Sequence, residues 1–90
     1  MKVFSERIDL KTRGEVDMVD ITSKVESVVE NRQIKNGIAT IFVPGSTASV
    51  TTIEYEPGLL TDFPALLEKI APRNAAYEHE KRWHDGNGHS

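Results

Sequence analysis

The sequence predicts one small domain, residues 1–90, that combines β-strands with two short helices. Three observations lead to this expectation. Ninety residues support a single domain with a small core. Four segments show the alternation or the short apolar runs typical of strands, at residues 2–12, 15–21, 38–43 and 49–55. Two further segments place apolar residues at helical spacing, one at residues 23–34 and one after Pro57-Gly58.

The strand at residues 38–43 is the most apolar segment, which predicts a place at the centre of a sheet. It ends at Pro44-Gly45, a dipeptide typical of turns. The two N-terminal strands are expected to be antiparallel and joined by a turn at Arg13-Gly14.

The first helix is predicted to begin with a capping box, because Ser23 and Glu26 have the required spacing. Three valines then fall on one helical face, and Asn36-Gly37 provides a glycine suited to the C-terminal end.

The second helix has Thr61 or Asp62 as its candidate cap, and Pro64 suits its first turn. Its predicted buried stripe consists of Leu66, Leu67 and Ile70.

Composition excludes several classes of function. The formal net charge is -3 and the basic residues are scattered, which argues against a nucleic-acid interface. The absence of cysteine excludes a disulfide framework and thiolate chemistry, and it is compatible with a cytoplasmic protein. No apolar run approaches the length of a membrane span.

The turn at residues 45–49 carries clustered hydroxyls from Ser46, Thr47 and Ser49. Hydroxyls and turn amides can bind a phosphate, although the same residues also form ordinary hydrogen-bonded Ser/Thr turns. No Walker lysine and no nucleophile elbow accompany them. Glu54 and Glu56 follow on one strand face, where one could act as a general base or ligand.

The last fourteen residues are rich in potential ligands, with all three histidines between residues 79 and 89. Imidazoles and carboxylates suit zinc or another divalent ion, and a solvated terminal run is the equal alternative. His79 and His84 are five residues apart, which turns them about 140° away from each other on a helix and excludes the zinc-protease motif. Residues 85–88 resemble a calcium loop only faintly, because its final ligand is absent.

Several of these segments, in this order, resemble the YjbQ-type family over nearly the whole chain. The residues that carry the resemblance are Ile41-Phe42-Val43-Pro44-Gly45-Ser46-Thr47-Ala48-Ser49-Val50-Thr51-Thr52-Ile53-Glu54, Gly58-Leu59-Leu60-Thr61-Asp62-Phe63-Pro64, Tyr77-Glu78-His79 and Asp85-Gly86-Asn87-Gly88-His89-Ser90.

The resemblance implies a compact α+β fold with mixed β-sheets, usually assembled as a homotrimer. Together with the hydroxyls, acids and imidazoles described above, it predicts a site for a small phosphorylated molecule and a divalent metal, with zinc as the candidate. Glu54, His79 and Asp85 would be catalytic, and His79 and His89 would bind the metal. The predicted substrate-binding residues are Ser49, Tyr77 and Asn87, which the resemblance implies, and Ser46 and Thr47, which the hydroxyl-rich turn predicts.

The resemblance also predicts an incomplete domain. The family pattern continues beyond Ser90 with a second histidine, which would complete a His-x-His metal clamp, and with further C-terminal strands. Two functions follow as hypotheses. One is an enzyme with a secondary thiamine-phosphate synthase activity, and the other is a non-catalytic, oligomeric protein that binds metal or anion in the same pocket.

Overall fold

Three helices, joined by extended segments and turns, form the structure, a computed structural model that describes residues 2–90. The helices are α1 (Thr22–Asn31), α2 (Pro57–Ile70) and α3 (Glu78–Trp83). The chain divides into two units, Met1–Ile41 and Phe42–Ser90. Helix α1 belongs to the first unit, and α2 and α3 belong to the second.

The predicted α+β fold with mixed β-sheets is wrong, because residues 2–90 contain no strand and no sheet. Outside the helices, the backbone hydrogen bonds between described residues join positions at most five apart, as in Ile34 to Val29. A strand requires a neighbour that pairs with its amides and carbonyls. Alternation in the sequence indicates which side chains could share a face, but it does not supply that neighbour.

The segment at residues 38–43 illustrates the error. It was predicted to be a central, buried strand, yet Ile38 is 98% exposed and Phe42 is 81% exposed. An apolar run is buried only when other elements cover both of its faces. In the described part of the chain, no hydrophobic side chain is fully buried.

Helix α1 begins one residue before its predicted start and lacks the predicted capping box. Asp20 Oδ1 accepts the Thr22 amide at 3.0 Å, and no side chain caps the helix from the N-cap position, Ile21. The valine face is confirmed, because Val25, Val28 and Val29 are the half-buried residues within the helix.

Gln33, rather than Asn36-Gly37, ends α1. Gln33 has a positive φ of 54°, and its amide binds the Glu30 carbonyl at 3.0 Å. The Ile34 amide binds the Val29 carbonyl at 3.4 Å, which completes a Schellman motif. The helix therefore stops three residues before its predicted end.

Helix α2 starts earlier than Thr61 or Asp62. Glu56 is its N-cap, and its carboxylate Oε1 accepts the Leu59 amide at 2.6 Å. Pro57 follows in the first turn, where a missing amide has no cost. Pro64 consequently lies inside the helix.

The buried stripe predicted for α2 is also wrong. Leu66 is 50% exposed and Ile70 is 71% exposed. The half-buried residues of the helix are instead Leu59, Leu60, Phe63 and Pro64.

Both predicted turns are present, although neither joins two strands. Residues 14–16 form the first turn, with Gly14 at φ 117°. In the second turn, the Ala48 amide donates to the Gly45 carbonyl at 3.2 Å. Within residues 2–90, no helix is both long and apolar enough to cross a membrane.

Candidate functional site

A pocket of about 360 Å³ lies in the second unit, where the turn after Gly45 meets the C-terminal segment. Its lining consists of Ser46, Thr47, His79, Asp85, Asn87, Gly88 and Ser90. The pocket is open, because each of these residues is exposed except Gly88, which is half-buried.

Ser46 and Thr47 enter the pocket from the turn closed by the bond between Ala48 and Gly45. They are the two central residues of this four-residue turn, so the backbone presents them side by side. Each hydroxyl can donate one hydrogen bond and accept two. This wall of the pocket is therefore polar and carries no ionisable side chain.

His79 and Asp85 form the opposite wall as a hydrogen-bonded pair. His79 Nε2 lies 3.0 Å from Asp85 Oδ1, and the two side chains are 41% and 43% exposed. The pKa of Asp85 lies below its ordinary value of 3.8, first because its carboxylate accepts the Asn87 amide and also because it is hydrogen-bonded to His79. Asp85 is consequently ionised at neutral pH and accepts a hydrogen bond from the N–H group at Nε2 of His79. Proton exchange with a ligand would then take place at Nδ1 of His79.

The loop after α3 is held by short-range hydrogen bonds. The Asn87 amide donates to Asp85 Oδ1 at 3.1 Å, and the Ser90 hydroxyl donates to the Asn87 carbonyl at 2.8 Å. Glu80 accepts the amides of Gly86 and Gly88, one on each carboxylate oxygen. Sequence reasoning missed Glu80. The available signal was an acid six and eight residues before the glycines of Gly86-Asn87-Gly88.

The structure brings together five of the predicted site residues, Ser46, Thr47, His79, Asp85 and Asn87. Among the described residues, the other four lie outside the pocket lining: Ser49, Glu54, Tyr77 and His89. Ser49 and Glu54 are exposed beyond the turn, and His89 is half-buried. The Tyr77 hydroxyl donates to the Pro72 carbonyl at 2.5 Å, so it is engaged within its own segment.

The arrangement does not fit a zinc ion. Structural and catalytic zinc sites use at least three protein ligands. No group of three or more His, Cys, Asp or Glu side chains in residues 2–90 could hold a metal. His79 also directs Nε2 at Asp85 rather than at a shared metal position. The prediction that His79 and His89 bind zinc therefore gains no support from the geometry.

Comparison with known proteins identifies one family. Residues 6–90 match the family model described as "UPF0047 protein YjbQ-like". The chain is 38% identical over 79 residues to a UPF0047 protein of Methanothermobacter thermautotrophicus, covering 88% of the chain and 55% of the relative.

Two other similar proteins carry the same family description. A UPF0047 protein of Archaeoglobus fulgidus is 35% identical, covering 82% of the chain and 56% of the relative. The UPF0047 protein YugU of Bacillus subtilis is 32% identical, covering 89% of the chain and 59% of the relative. The chain thus spans about half the length of the curated relatives it matches. No solved structure matches it.

Proposed function

The chain belongs to the YjbQ-like UPF0047 family, and from its pocket we propose that it binds a small phosphorylated molecule. One observation carries the proposal. Two adjacent hydroxyl residues, Ser46 and Thr47, face the same pocket as the hydrogen-bonded pair of His79 and Asp85. The pocket therefore combines neutral donors with an imidazole that is hydrogen-bonded to a carboxylate.

Hydroxyls are suited to phosphate oxygens because they donate hydrogen bonds without requiring a fixed charge. The Asn87 side chain adds an amide donor to the same lining. These three side chains would bind and orient the phosphate, and His79 would supply a positive charge when it is protonated.

The carboxylate of Asp85 opposes an anion, and its surroundings reduce that effect. It accepts hydrogen bonds from the Asn87 amide and from His79. These hydrogen bonds stabilise the charge of the carboxylate and reduce its repulsion of a bound phosphate.

The finer proposal is a secondary thiamine-phosphate synthase activity. That reaction joins a pyrimidine diphosphate to a thiazole phosphate and releases diphosphate. Negative charge grows on the leaving diphosphate as its bond breaks, and donors placed beside it lower the barrier. The hydroxyls of Ser46 and Thr47, with protonated His79, are the groups that could meet this charge.

The second candidate is a non-catalytic binding protein that uses the same pocket, and the openness of the pocket favours it. Six of the seven lining residues are exposed. Transfer reactions benefit from a site that excludes water, whereas binding alone does not require this. A homotrimer, which the family resemblance implies, and a cytoplasmic location, which the composition predicts, belong to this proposal as well.

Calorimetric titration of inorganic diphosphate tests the proposal with two matched threonine variants of the 90-residue chain. Thr47→Val removes a pocket hydroxyl and keeps the side-chain volume, and it is expected to weaken binding about five- to tenfold, the value of one hydrogen bond. Thr52→Val removes an exposed hydroxyl outside the lining and should bind as the unaltered chain does. Equal affinities in the two variants would contradict the pocket assignment.

Turnover separates the two candidates. Incubation with a pyrimidine diphosphate and a thiazole phosphate should release diphosphate if the chain is an enzyme. Saturable binding without release of diphosphate would favour the binding protein. Adding zinc to both assays tests the metal prediction, which requires a change in affinity or in rate.

A further inference from the structure

The loop that completes the pocket is attached to helix α3 by the carboxylate of Glu80, in addition to the bond between His79 and Asp85. Glu80 Oε2 accepts the Gly86 amide at 2.7 Å, and Glu80 Oε1 accepts the Gly88 amide. Glu80 is half-buried, unlike the other five residues of α3. Both of its oxygens are therefore used within the structure, and both partners are backbone donors of the same loop.

The loop can approach Glu80 this closely because it contains glycine at two positions. Gly86 has a φ of 72°, a left-handed conformation that side chains other than glycine rarely adopt. A Cβ at Gly88 would lie 2.5 Å from Tyr77 Cβ and 2.7 Å from Glu80 Oε1. Gly88 thus lies against Glu80 and Tyr77 with no room for a side chain.

The residues that Glu80 holds are those that carry the pocket. Asp85 precedes Gly86, and Asn87 lies between the two glycines. Gly88 itself lines the pocket with Asp85 and Asn87. Fixing the amides of Gly86 and Gly88 therefore fixes where Asp85 meets His79 and where the Asn87 side chain is presented.

We propose that Glu80 is a positioning residue that clamps the loop 85–88 and so sets the geometry of the pocket. This inference rests on the proposed phosphate-binding function. Hydrogen bonds from backbone amides to a carboxylate are about twice as strong as neutral ones, so a pair of them can hold a short exposed loop. Glu80 acts through the loop and makes no contact with the ligand.

Three variants of the 90-residue chain test the clamp. Glu80→Ala removes both acceptors. Glu80→Gln keeps the shape but offers one good acceptor, because its amide group donates. Glu78→Ala is the control, since Glu78 lies on the same helix and its carboxylate binds exposed Lys81 at 2.8 Å.

Two readouts separate the clamp from the binding function. The amide proton shifts of Gly86 and Gly88, measured by NMR without ligand, report the carboxylate acceptor directly. The Kd for inorganic diphosphate reports the consequence for the pocket. In Glu80→Ala, both amide protons should move upfield and diphosphate should bind about tenfold more weakly. Glu80→Gln should fall between, and Glu78→Ala should match the unaltered chain.

Three outcomes would contradict either the role of Glu80 or the proposed phosphate binding. Unchanged Gly86 and Gly88 shifts in Glu80→Ala would overturn the clamp. Tighter diphosphate binding in Glu80→Ala would also overturn the positioning role, because it would mean that the carboxylate competes with the ligand for these amides. Upfield shifts in a chain that binds no diphosphate would support the clamp and contradict the proposed function instead.

Discussion

Replacing Gly88 by alanine is expected to open the loop that completes the pocket. The added Cβ would lie 2.5 Å from Tyr77 Cβ, about 0.9 Å inside the 3.4 Å at which ordinary contact begins. Tyr77 Cβ is attached to the backbone, so it cannot rotate away. The loop must move instead, and the hydrogen bond from the Gly88 amide to Glu80 would be lost.

The magnitude follows from these two contacts. Overpacking costs about 1–3 kcal/mol. Losing a hydrogen bond to a charged group costs about 1.5–3 kcal/mol. The two penalties are alternatives, because a loop that opens relieves the clash. A net cost of about 2 kcal/mol is therefore expected, or about thirtyfold in the ratio of closed to open loop.

Amide hydrogen exchange at Gly86 measures this ratio, because that amide donates to the other oxygen of Glu80. Exchange in Gly88→Ala should be faster by up to about thirtyfold. Gly45→Ala is the matched control, since its Cβ would lie 3.5 Å from Ala48 Cβ, an ordinary contact. Unchanged exchange at Gly86 in Gly88→Ala would refute the reasoning, as would an equal acceleration in Gly45→Ala.

Two further predictions concern the cap of helix α2 and the effect of low pH on the loop that contains Asp85. Glu56→Ala should lower the helical circular dichroism signal and reduce the free energy of unfolding by about 1 kcal/mol, because the Leu59 amide loses its cap. Glu26→Ala is the control and should change little, since the predicted capping box does not form. Equal losses in the two variants would contradict Glu56 as the cap. The loop held by Asp85 should be stable above pH 3.8 and lose order as the pH falls below that value, because the pKa of Asp85 is lowered in the folded chain. An NMR pH titration of the Asn87 amide checks this, and Asp85→Asn should remove the transition.

The sequence indicated which of the candidate residues share one pocket better than it indicated the fold, and the reason is physical. His79, Asp85 and Asn87 lie within nine residues of one another, so a short helix and one loop are enough to bring them together. Ser46 and Thr47 were predicted from turn chemistry, which is also local. Local hydrogen bonds decide these positions, and local spacing in the sequence reveals them.

The predicted sheets required hydrogen-bonded pairing between distant segments of the chain. The spacing of residues in the sequence does not reveal whether such pairing forms. Residues 38–43 have strand-like composition, yet Ile38 and Phe42 are largely exposed. Helix ends were missed for a related reason. Glu56 caps α2 through its side-chain carboxylate, and Gln33 ends α1 through its positive φ, whereas Ser23 and Gly37 had the more typical residue types.

Ser49 and Glu54 show where the implied site and the structure differ. Both were expected in the site, and both lie outside the pocket lining. Their assignment required a strand that carries side chains from the turn to the opposite wall. Without strands in residues 2–90, the turn contributes Ser46 and Thr47 instead.

Mapping diphosphate onto the chain by NMR tests the central claim most directly. Titrating inorganic diphosphate into the isotope-labelled 90-residue chain at neutral pH should shift the amides of Ser46, Thr47, Asn87 and Gly88 together, with one saturating Kd. The imidazole of His79 should respond with the same Kd, because it lines the same pocket. Shifts confined to other segments, or no saturable shift at these residues, would contradict a phosphate-binding pocket at this position.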